Sequence, residues 1–321
     1  MPMLDMPLAQ LKEYQGINPR PIDFDAFWDE GLAEMKAVDP QVEMVEAEFQ
    51  APGVVCQHLY FTGVGNVRIH ANFVRPENAD RKCPAILSFH GYTSAGAGFL
   101  SLLPYAYAGF YCFSLDVRGQ GGLSQDASSE YGPTVYGHIV NGLHDPDPRK
   151  LFFRNVFLDT AQLAGIAMAM EQVDENRVAA MGGSQGGALT LACASLEPRV
   201  AFAAPQYPWL CDYKRVWEMD QACNAYQGLK DYFRHFDPRH EKENEIFEKL
   251  GYIDVQFLTP RIKGKVFMST GLMDNICPPS TQFAAFNKIT SPKEVEIYPD
   301  FGHEWFPGLD EHVYQRLLKM L

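Results

Sequence analysis

The sequence predicts an α/β fold in which a mostly parallel central sheet carries helices on both faces. From residue 85 onward, short apolar runs alternate with helical stretches, a pattern typical of buried parallel strands joined by crossover helices. One of these runs leads through a glycine-rich turn, residues 182–187, into a helix-forming segment. With 321 residues, 46% of them hydrophobic, and no repeat or linker-like stretch, the chain can build one extensive core. We therefore expect a single domain over residues 1–321.

Antiparallel strands are expected before the parallel part of the sheet. An acidic amphipathic segment at residues 24–38 predicts a helix. The runs at residues 57–61 and 67–74 surround Gly63-Val64-Gly65-Asn66 and predict a β-hairpin. The segment 155–173, rich in Ala, Leu and Met, predicts a crossover helix. The buried strands of the parallel part are expected at residues 85–89, 111–115, 178–181, 265–269 and 294–298.

This α/β pattern is interrupted at residues 208–250. The segment is aromatic and charged, and we expect a helical insertion; its large aromatic side chains are Trp209, Trp217, Tyr226, Tyr232, Phe233 and Phe236. Such aromatic density usually serves plain packing. Buried aromatic area is equally useful in a lid over a site and in a contact between subunits, and the sequence leaves both interpretations open.

Composition argues against several classes of protein. The formal net charge of −13 and the absence of long Lys-Arg clusters argue against nucleic acid as a partner. No apolar run approaches a membrane span in length, and the first residues lack the basic and apolar regions of a signal peptide. The seven cysteines are widely spaced and never form C-x-x-C, so neither disulfides nor a zinc site is indicated. We expect a cytoplasmic protein without metal or cofactor.

The glycine-rich turn predicts a nucleophile. Gly182-Gly183-Ser184-Gln185-Gly186 follows an apolar strand and matches G-x-S-x-G, the turn that presents a catalytic serine between a strand and a helix. It fits neither the G-x-G-x-x-G nor the G-x-x-x-x-G-K-[ST] pattern of phosphate-binding loops. A tight turn that contains serine by chance is the plainer alternative, but the strand and helix on its two sides favour Ser184 as a nucleophile.

A serine nucleophile needs a base, and the base needs a carboxylate that orients it. Asp274 follows one predicted strand and His303 follows the next, each on a loop at the carboxyl end of its strand. The order Ser184, Asp274, His303 is the order of the α/β-hydrolase fold. Because these strand ends meet at one edge of the sheet, residues distant in sequence can converge there.

Two other carboxylates compete with Asp274. Asp300 and Glu304 are closer to His303 in sequence, but they share its loop and would struggle to fold back on its Nδ1. Asp300 is better explained as a turn residue. A solvated loop histidine is the plainer explanation of His303, and its position in the Ser-Asp-His order favours the catalytic one.

An oxyanion hole takes one amide from the residue after the serine and another from a loop after an earlier strand. These would be the N–H groups of Gln185 and Tyr92, and we expect His90 to pin the second loop by a hydrogen bond. Tyr92, Trp209 and Pro278 are expected near Ser184, where they would leave an acyl pocket too short for more than acetyl.

These segments together resemble the cephalosporin C deacetylase and acetyl xylan esterase family, carbohydrate esterase family seven. Its R-G-Q, G-x-S-Q-G and H-E signatures occur in order at residues 118–120, 182–186 and 303–304, and the resemblance runs nearly end to end. It implies deacetylation of acetylated xylo-oligosaccharides or other small acetyl esters by a cytoplasmic homohexamer, a trimer of dimers. It implies a Ser184, Asp274, His303 triad with the amides of Tyr92 and Gln185. A scaffolding role is expected for Arg118, Gly119, Gln120 and Glu304.

The triad alone does not choose the leaving group. A general carboxylesterase or a peptidase on the same fold is therefore the alternative to a sugar deacetylase. A non-catalytic binding protein on a hydrolase scaffold is a more remote one, because such a protein gains nothing from an intact triad.

Overall fold

A computed structural model describes residues 4–126 and 137–320. Within these residues nine strands form one sheet, in the order β1-β2-β3-β5-β4-β6-β7-β8-β9. The strands are β1 Glu43–Glu46, β2 Val54–Gly63, β3 Val67–Pro76, β4 Cys83–Phe89, β5 Tyr111–Leu115, β6 Val173–Gly183, β7 Phe202–Gln206, β8 Lys265–Gly271 and β9 Lys293–Tyr298. The α-helices are α1 Leu8–Leu11, α2 Phe24–Ala37, α3 Phe99–Tyr107, α4 Phe152–Ala169, α5 Gln185–Leu196, α6 Tyr213–Glu218, α7 Gln227–Phe236, α8 Glu243–Leu250, α9 Pro279–Lys288 and α10 Leu309–Leu318.

The sheet is parallel from β5 to β9 and antiparallel at its other end. β1, β2, β3 and β5 pair antiparallel, whereas β5, β4, β6, β7, β8 and β9 pair parallel. The central strands β4 and β5 are buried along their whole length, as both-face coverage requires. The carboxyl ends of β6, β8 and β9 lie at the same edge, which is where their following loops can meet.

Helices cover both faces, and successive side chains of a strand point to opposite faces. In β4, Leu87 joins the hydrophobic cluster that packs against α4 and α5, whereas its neighbour Ile86 joins the cluster under α3 and α10. The α/β fold, the N-terminal hairpin and the crossover helix before β6 are confirmed. In the described residues no helix is both long enough and apolar enough to cross a membrane.

Two strands were not expected from the sequence. β1 is only four residues long and exposed at every position, and its two apolar residues lie between glutamates, so no longer apolar run marks it at the edge of the sheet. β7 reads Phe-Ala-Ala-Pro-Gln, and its alanines and proline give little strand signal, yet it pairs with β6 and β8.

The insertion forms α6, α7 and α8 with short 3₁₀ segments. Its aromatic side chains pack mainly on one another: the ring centroids of Trp217 and Phe233 are 4.4 Å apart, and Tyr226 is fully buried. Most of the aromatic area that suggested a lid or a subunit contact is therefore used inside the chain.

Candidate active site

Ser184 lies between β6 and α5 in a strained backbone conformation. Its φ of 59° and ψ of −118° fall in a region that residues other than glycine rarely adopt. Backbone bonds hold the turn, because the Ser184 N–H donates to the Gln206 carbonyl over 3.0 Å and its carbonyl accepts from the Trp209 N–H over 3.0 Å. A Cβ on Gly186 would clash with the Phe89 carbonyl, so glycine is required where the turn crosses β4.

The Asp274 carboxylate orients His303. Its Oδ2 lies 2.8 Å from His303 Nδ1, and its Oδ1 accepts the backbone N–H groups of Ile276 and Cys277 at 2.9 and 2.8 Å. Asp274 is fully buried, and Gln282 adds a side-chain N–H at 3.2 Å. With Nδ1 donating to the carboxylate, His303 keeps the lone pair of Nε2 free to accept a proton.

The two competing carboxylates lie elsewhere. Asp300 is exposed, and the Glu304 carboxylate accepts the Gly302 N–H at 2.9 Å instead of the imidazole. Glu304 thus supports the loop that carries His303. On its other side the imidazole packs on Tyr207, with ring centroids 4.6 Å apart, and Phe306 packs behind Tyr207 at 5.3 Å.

A thiol to which the sequence assigned no role lies beside these residues. Cys277 is fully buried, and the Ser184 side chain is among the groups that act on its thiol. Its sulfur, a carboxylate oxygen of Asp274 and a ring nitrogen of His303 all lie within 4.8 Å of one another. Burial raises the pKa of the Cys277 thiol well above its ordinary value, so the thiol is protonated near neutral pH. Its place in the 274–279 turn was the only sequence signal.

Gln185 and Tyr92 are the residues predicted to supply the oxyanion amides, and the structure places them at the start of α5 and in the loop after β4. Gln185 is the first residue of α5, and the first N–H groups of a helix have no acceptor within the helix. Tyr92 follows β4 in a loop pinned by His90, whose Nε2 accepts the Val117 N–H at 3.0 Å while Nδ1–H donates to the Gly91 carbonyl at 2.7 Å. Burial lowers the pKa of His90, so the ring stays neutral. The structural role expected for His90 is confirmed.

The R-G-Q and S-Q-G signatures are joined by a pair of amide side chains, which we call the glutamine clasp, Gln120 and Gln185. Gln120 Nε2 donates to Gln185 Oε1 at 2.7 Å, and Gln185 Nε2 donates back to Gln120 Oε1 at 3.0 Å. Gln120 Oε1 also accepts the N–H of Thr93, next to Tyr92, at 2.9 Å. The clasp therefore ties the start of α5 to the loop after β4, the two segments predicted to carry the oxyanion amides.

Arg118 and Gly119 support the clasp from behind. The Arg118 guanidinium is buried, forms a two-point pair with Asp159 at 2.6 and 2.7 Å, and donates to the Val64 carbonyl at 3.1 Å. The Gly119 carbonyl accepts His138 Nε2–H at 2.9 Å, and Tyr92 Oη donates to His138 Nδ1 at 3.1 Å. These contacts hold the segment that carries Gln120 against the rest of the chain, in line with the scaffolding role expected for Arg118 and Gly119.

One predicted substrate contact needs correction. Trp209 is fully buried, with its ring 4.7 Å from Tyr92 and 5.6 Å from Phe153, so its side chain packs against these two rings instead of facing a substrate. Pro278 is also buried and precedes α9. Tyr92 is only partly buried and keeps a surface for a ligand.

The sheet order and the strained turn at Ser184, between β6 and α5, define an α/β hydrolase. The acetyl xylan esterase (AXE1) family matches residues 1–320, and the chain belongs to this family of carboxylic ester hydrolases. It is 28% identical over 324 residues to the acetyl esterase Axe7A of Xylanibacter ruminicola, a match that covers 94% of this chain and 70% of that protein.

Two solved structures are similar over nearly the whole chain. Acetyl xylan esterase 1 from Thermoanaerobacterium sp. JW/SL YS485 shares 54% identity with a TM-score of 0.97, covering 99% of each chain. The acetyl xylan esterase from Paenibacillus sp. R4 shares 33% identity with a TM-score of 0.93, covering 98% of this chain and all of that one. The acylaminoacyl peptidase of Pyrococcus horikoshii, at 18% identity and a TM-score of 0.57, covers 84% of this chain and 41% of its own, and shares the fold alone.

Proposed function

We propose that this esterase removes acetyl groups from small acetylated sugars such as xylo-oligosaccharides, with Ser184 as the nucleophile. The observation that carries the proposal is the Asp274–His303 pair, 2.8 Å from Oδ2 to Nδ1, at the sheet edge that also holds the strained serine. Membership of the acetyl xylan esterase family supplies the substrate class.

The reaction runs through an acetyl-enzyme. His303 takes the Ser184 proton on Nε2 as the serine oxygen attacks the acetyl carbonyl. The Tyr92 and Gln185 amides stabilise the oxyanion, and the N-terminal end of α5 adds its positive dipole. His303 then protonates the departing sugar oxygen. Water enters, His303 deprotonates it, and acetate leaves in a second turn of the same steps.

The acyl pocket is proposed to be short. The buried Cys277-Pro278 turn and Tyr92, whose ring packs on the buried Trp209, are the groups proposed to limit the space around Ser184. An extra methylene gains at most about 0.8 kcal/mol by burial, whereas forcing it into a packed site costs roughly 1–3 kcal/mol. Acetyl esters should therefore be preferred to butyryl and longer esters.

A hydrolysis panel tests this function. We expect high kcat/KM for p-nitrophenyl acetate and acetylated xylo-oligosaccharides, low values for butyryl and octanoyl esters, and none for a peptide anilide. A butyrate value equal to or above acetate would favour a general carboxylesterase. Turnover of the anilide would favour a peptidase.

Assembly and compartment complete the proposal. The resemblance suggests a homohexamer, a trimer of dimers, and the exposed Met44 and Val45 of the edge strand β1 leave an open sheet edge that a neighbour can cover. Light scattering during size exclusion tests the hexamer, and a monomer at micromolar concentration would contradict it. All seven cysteines are unpaired, which supports a reducing compartment, the cytoplasm.

A further inference from the structure

The Cys277 thiol lies beside the Asp274–His303 pair. Its sulfur is within 4.8 Å of a His303 ring nitrogen and an Asp274 carboxylate oxygen. Throughout residues 4–126 and 137–320, this is the one place where three His, Cys, Asp or Glu side chains offer ligand atoms so close together.

The arrangement is held firmly on two sides. The Cys277 N–H donates to Asp274 Oδ1 at 2.8 Å, so the turn wraps around the carboxylate. The Gln282 amide, one turn into α9, donates to the Cys277 carbonyl at 2.6 Å and to Asp274 Oδ2 at 3.2 Å. Small side-chain movements can therefore bring the three ligand atoms together, whereas the backbone stays in place.

We propose that Cys277, His303 and Asp274 form an inhibitory binding site for a thiophilic divalent cation such as Zn²⁺ or Cd²⁺. A thiolate, an imidazole and a carboxylate are ligands that Zn²⁺ accepts, and the sulfur selects against Mg²⁺ and Ca²⁺. Ligand atoms at about 2.0–2.3 Å from a tetrahedral zinc ion lie about 3.3–3.8 Å from one another. Separations as long as 4.8 Å therefore need to close by roughly an ångström, and the 2.8 Å hydrogen bond between Asp274 Oδ2 and His303 Nδ1 is given up.

Binding and catalysis exclude each other at this site. The cation takes the sulfur, a lone pair of the imidazole and a carboxylate oxygen, and the thiol proton goes to the buffer. Asp274 then binds the metal and no longer orients the imidazole. His303 is therefore no longer positioned to deprotonate the Ser184 hydroxyl. Loss of activity rests on the triad of the proposed function, whereas binding of the cation does not.

A zinc titration tests the inhibition. p-Nitrophenyl acetate hydrolysis is followed in metal-free buffer with added ZnCl₂, and each variant is normalised to its own rate without metal. We expect inhibition of the native enzyme by micromolar Zn²⁺, its reversal by EDTA, and in Cys277→Ser a half-inhibitory concentration raised by about tenfold or more. Cys223→Ser, a change at the partly exposed cysteine of the insertion, is the matched control and should behave as the native enzyme. Equal sensitivity of Cys277→Ser would overturn the proposal.

Cadmium binding gives a readout apart from activity. Ser184→Ala protein should show the ultraviolet cadmium–thiolate charge-transfer absorption, and the Ser184→Ala, Cys277→Ser double variant should lose it. Absence of the band from Ser184→Ala would overturn the site. A band that depends on Cys277, together with full activity of the metal-loaded native enzyme, would uphold the cation site and contradict the catalytic roles proposed for Asp274 and His303.

Discussion

At Ser184 the backbone carries the strain and the hydroxyl is proposed to carry the reaction. Two backbone hydrogen bonds hold the positive φ: the Ser184 N–H donates one, and the Ser184 carbonyl accepts the other. Neighbouring glycines also let the turn fit against β4. None of these interactions uses the side-chain oxygen. The side chain can therefore be changed without releasing the turn.

Ser184→Ala should lower kcat for p-nitrophenyl acetate by about four to six orders of magnitude, as loss of a triad nucleophile does elsewhere. The melting temperature should stay within a few degrees, because the turn keeps its backbone bonds. Ser101→Ala, on the exposed side of α3, is the control and should retain full activity. A folded Ser184→Ala protein with a tenth of native activity would contradict the assignment.

The choice between carboxylates gives a second prediction. Asp274→Asn should lower kcat by about 10⁴, because an amide at this place stabilises the wrong tautomer of His303. Asp300→Asn should change kcat by less than about twofold, because Asp300 is exposed and His303 Nδ1 is paired with Asp274. Steady-state kinetics of the two variants decide the matter, and equal losses would mean that the wrong carboxylate was chosen.

At the scale of elements, the glutamine clasp joins the start of α5 to the loop after β4. Gln185 belongs to the first, and Thr93 is held on the second through Gln120. Two oxyanion donors act together only if their separation is fixed, and a misplacement of about 1 Å can cost about a hundredfold in rate. The clasp is a direct link between the two segments proposed to carry these donors.

Gln120→Ala should therefore lower kcat by about ten- to a hundredfold with little change in KM. Affinity for a boronic acid that mimics the tetrahedral intermediate should fall by a similar factor. Gln120→Glu keeps an acceptor for Thr93 and Gln185 but loses the donor, so its loss should be smaller. A rise in KM at constant kcat would instead mean that Gln120 contacts the substrate. Gln10→Ala, at an exposed glutamine, is the control and should leave both constants unchanged.

Much of this architecture could be predicted from local pattern. Buried parallel strands appear in the sequence as apolar runs, and the turn at Ser184 matches the G-x-S-x-G motif. β4, β5, β6 and Ser184 could therefore be predicted from the sequence. β7 was not, because alanines and a proline give no strand signal until β6 and β8 flank it. The clasp and the Cys277 thiol were missed because both depend on contacts between loops far apart in sequence. Trp209 was misplaced for the same reason, since a pattern does not tell which side of a loop a ring packs against.

At the scale of the whole molecule, we propose that the chain folds as one unit. One sheet takes strands from β1 to β9, and a buried carboxylate pair, Asp212 and Asp254, ties the N-terminal segment to the insertion. Asp212 accepts the Asn18 N–H and the Tyr14 hydroxyl, each at 2.8 Å, and its own N–H donates to Asp254 Oδ2 at 3.0 Å. Burial, with Asp212 nearby, raises the pKa of Asp254 to about 7.

This shifted pKa sets a pH dependence of stability. An aspartate in the unfolded chain has a pKa of about 3.9, so between about pH 4 and pH 7 the native state holds one proton more than the unfolded state at Asp254. The stability that this extra proton contributes is fully present below about pH 4 and is lost as the pH rises to about 7. This contribution to the free energy of unfolding falls by a few kcal/mol over this range. Buried histidines such as His90, with lowered pKa, act in the opposite sense, so the pH dependence of the native protein's stability does not isolate the effect of Asp254.

We expect the free energy of unfolding of Asp254→Asn to rise relative to that of the native protein as the pH rises from 5 to 8. Urea unfolding at fixed protein concentration measures it, Asp300→Asn should show no such drift, and a constant difference for Asp254→Asn would show that Asp254 is ionised throughout.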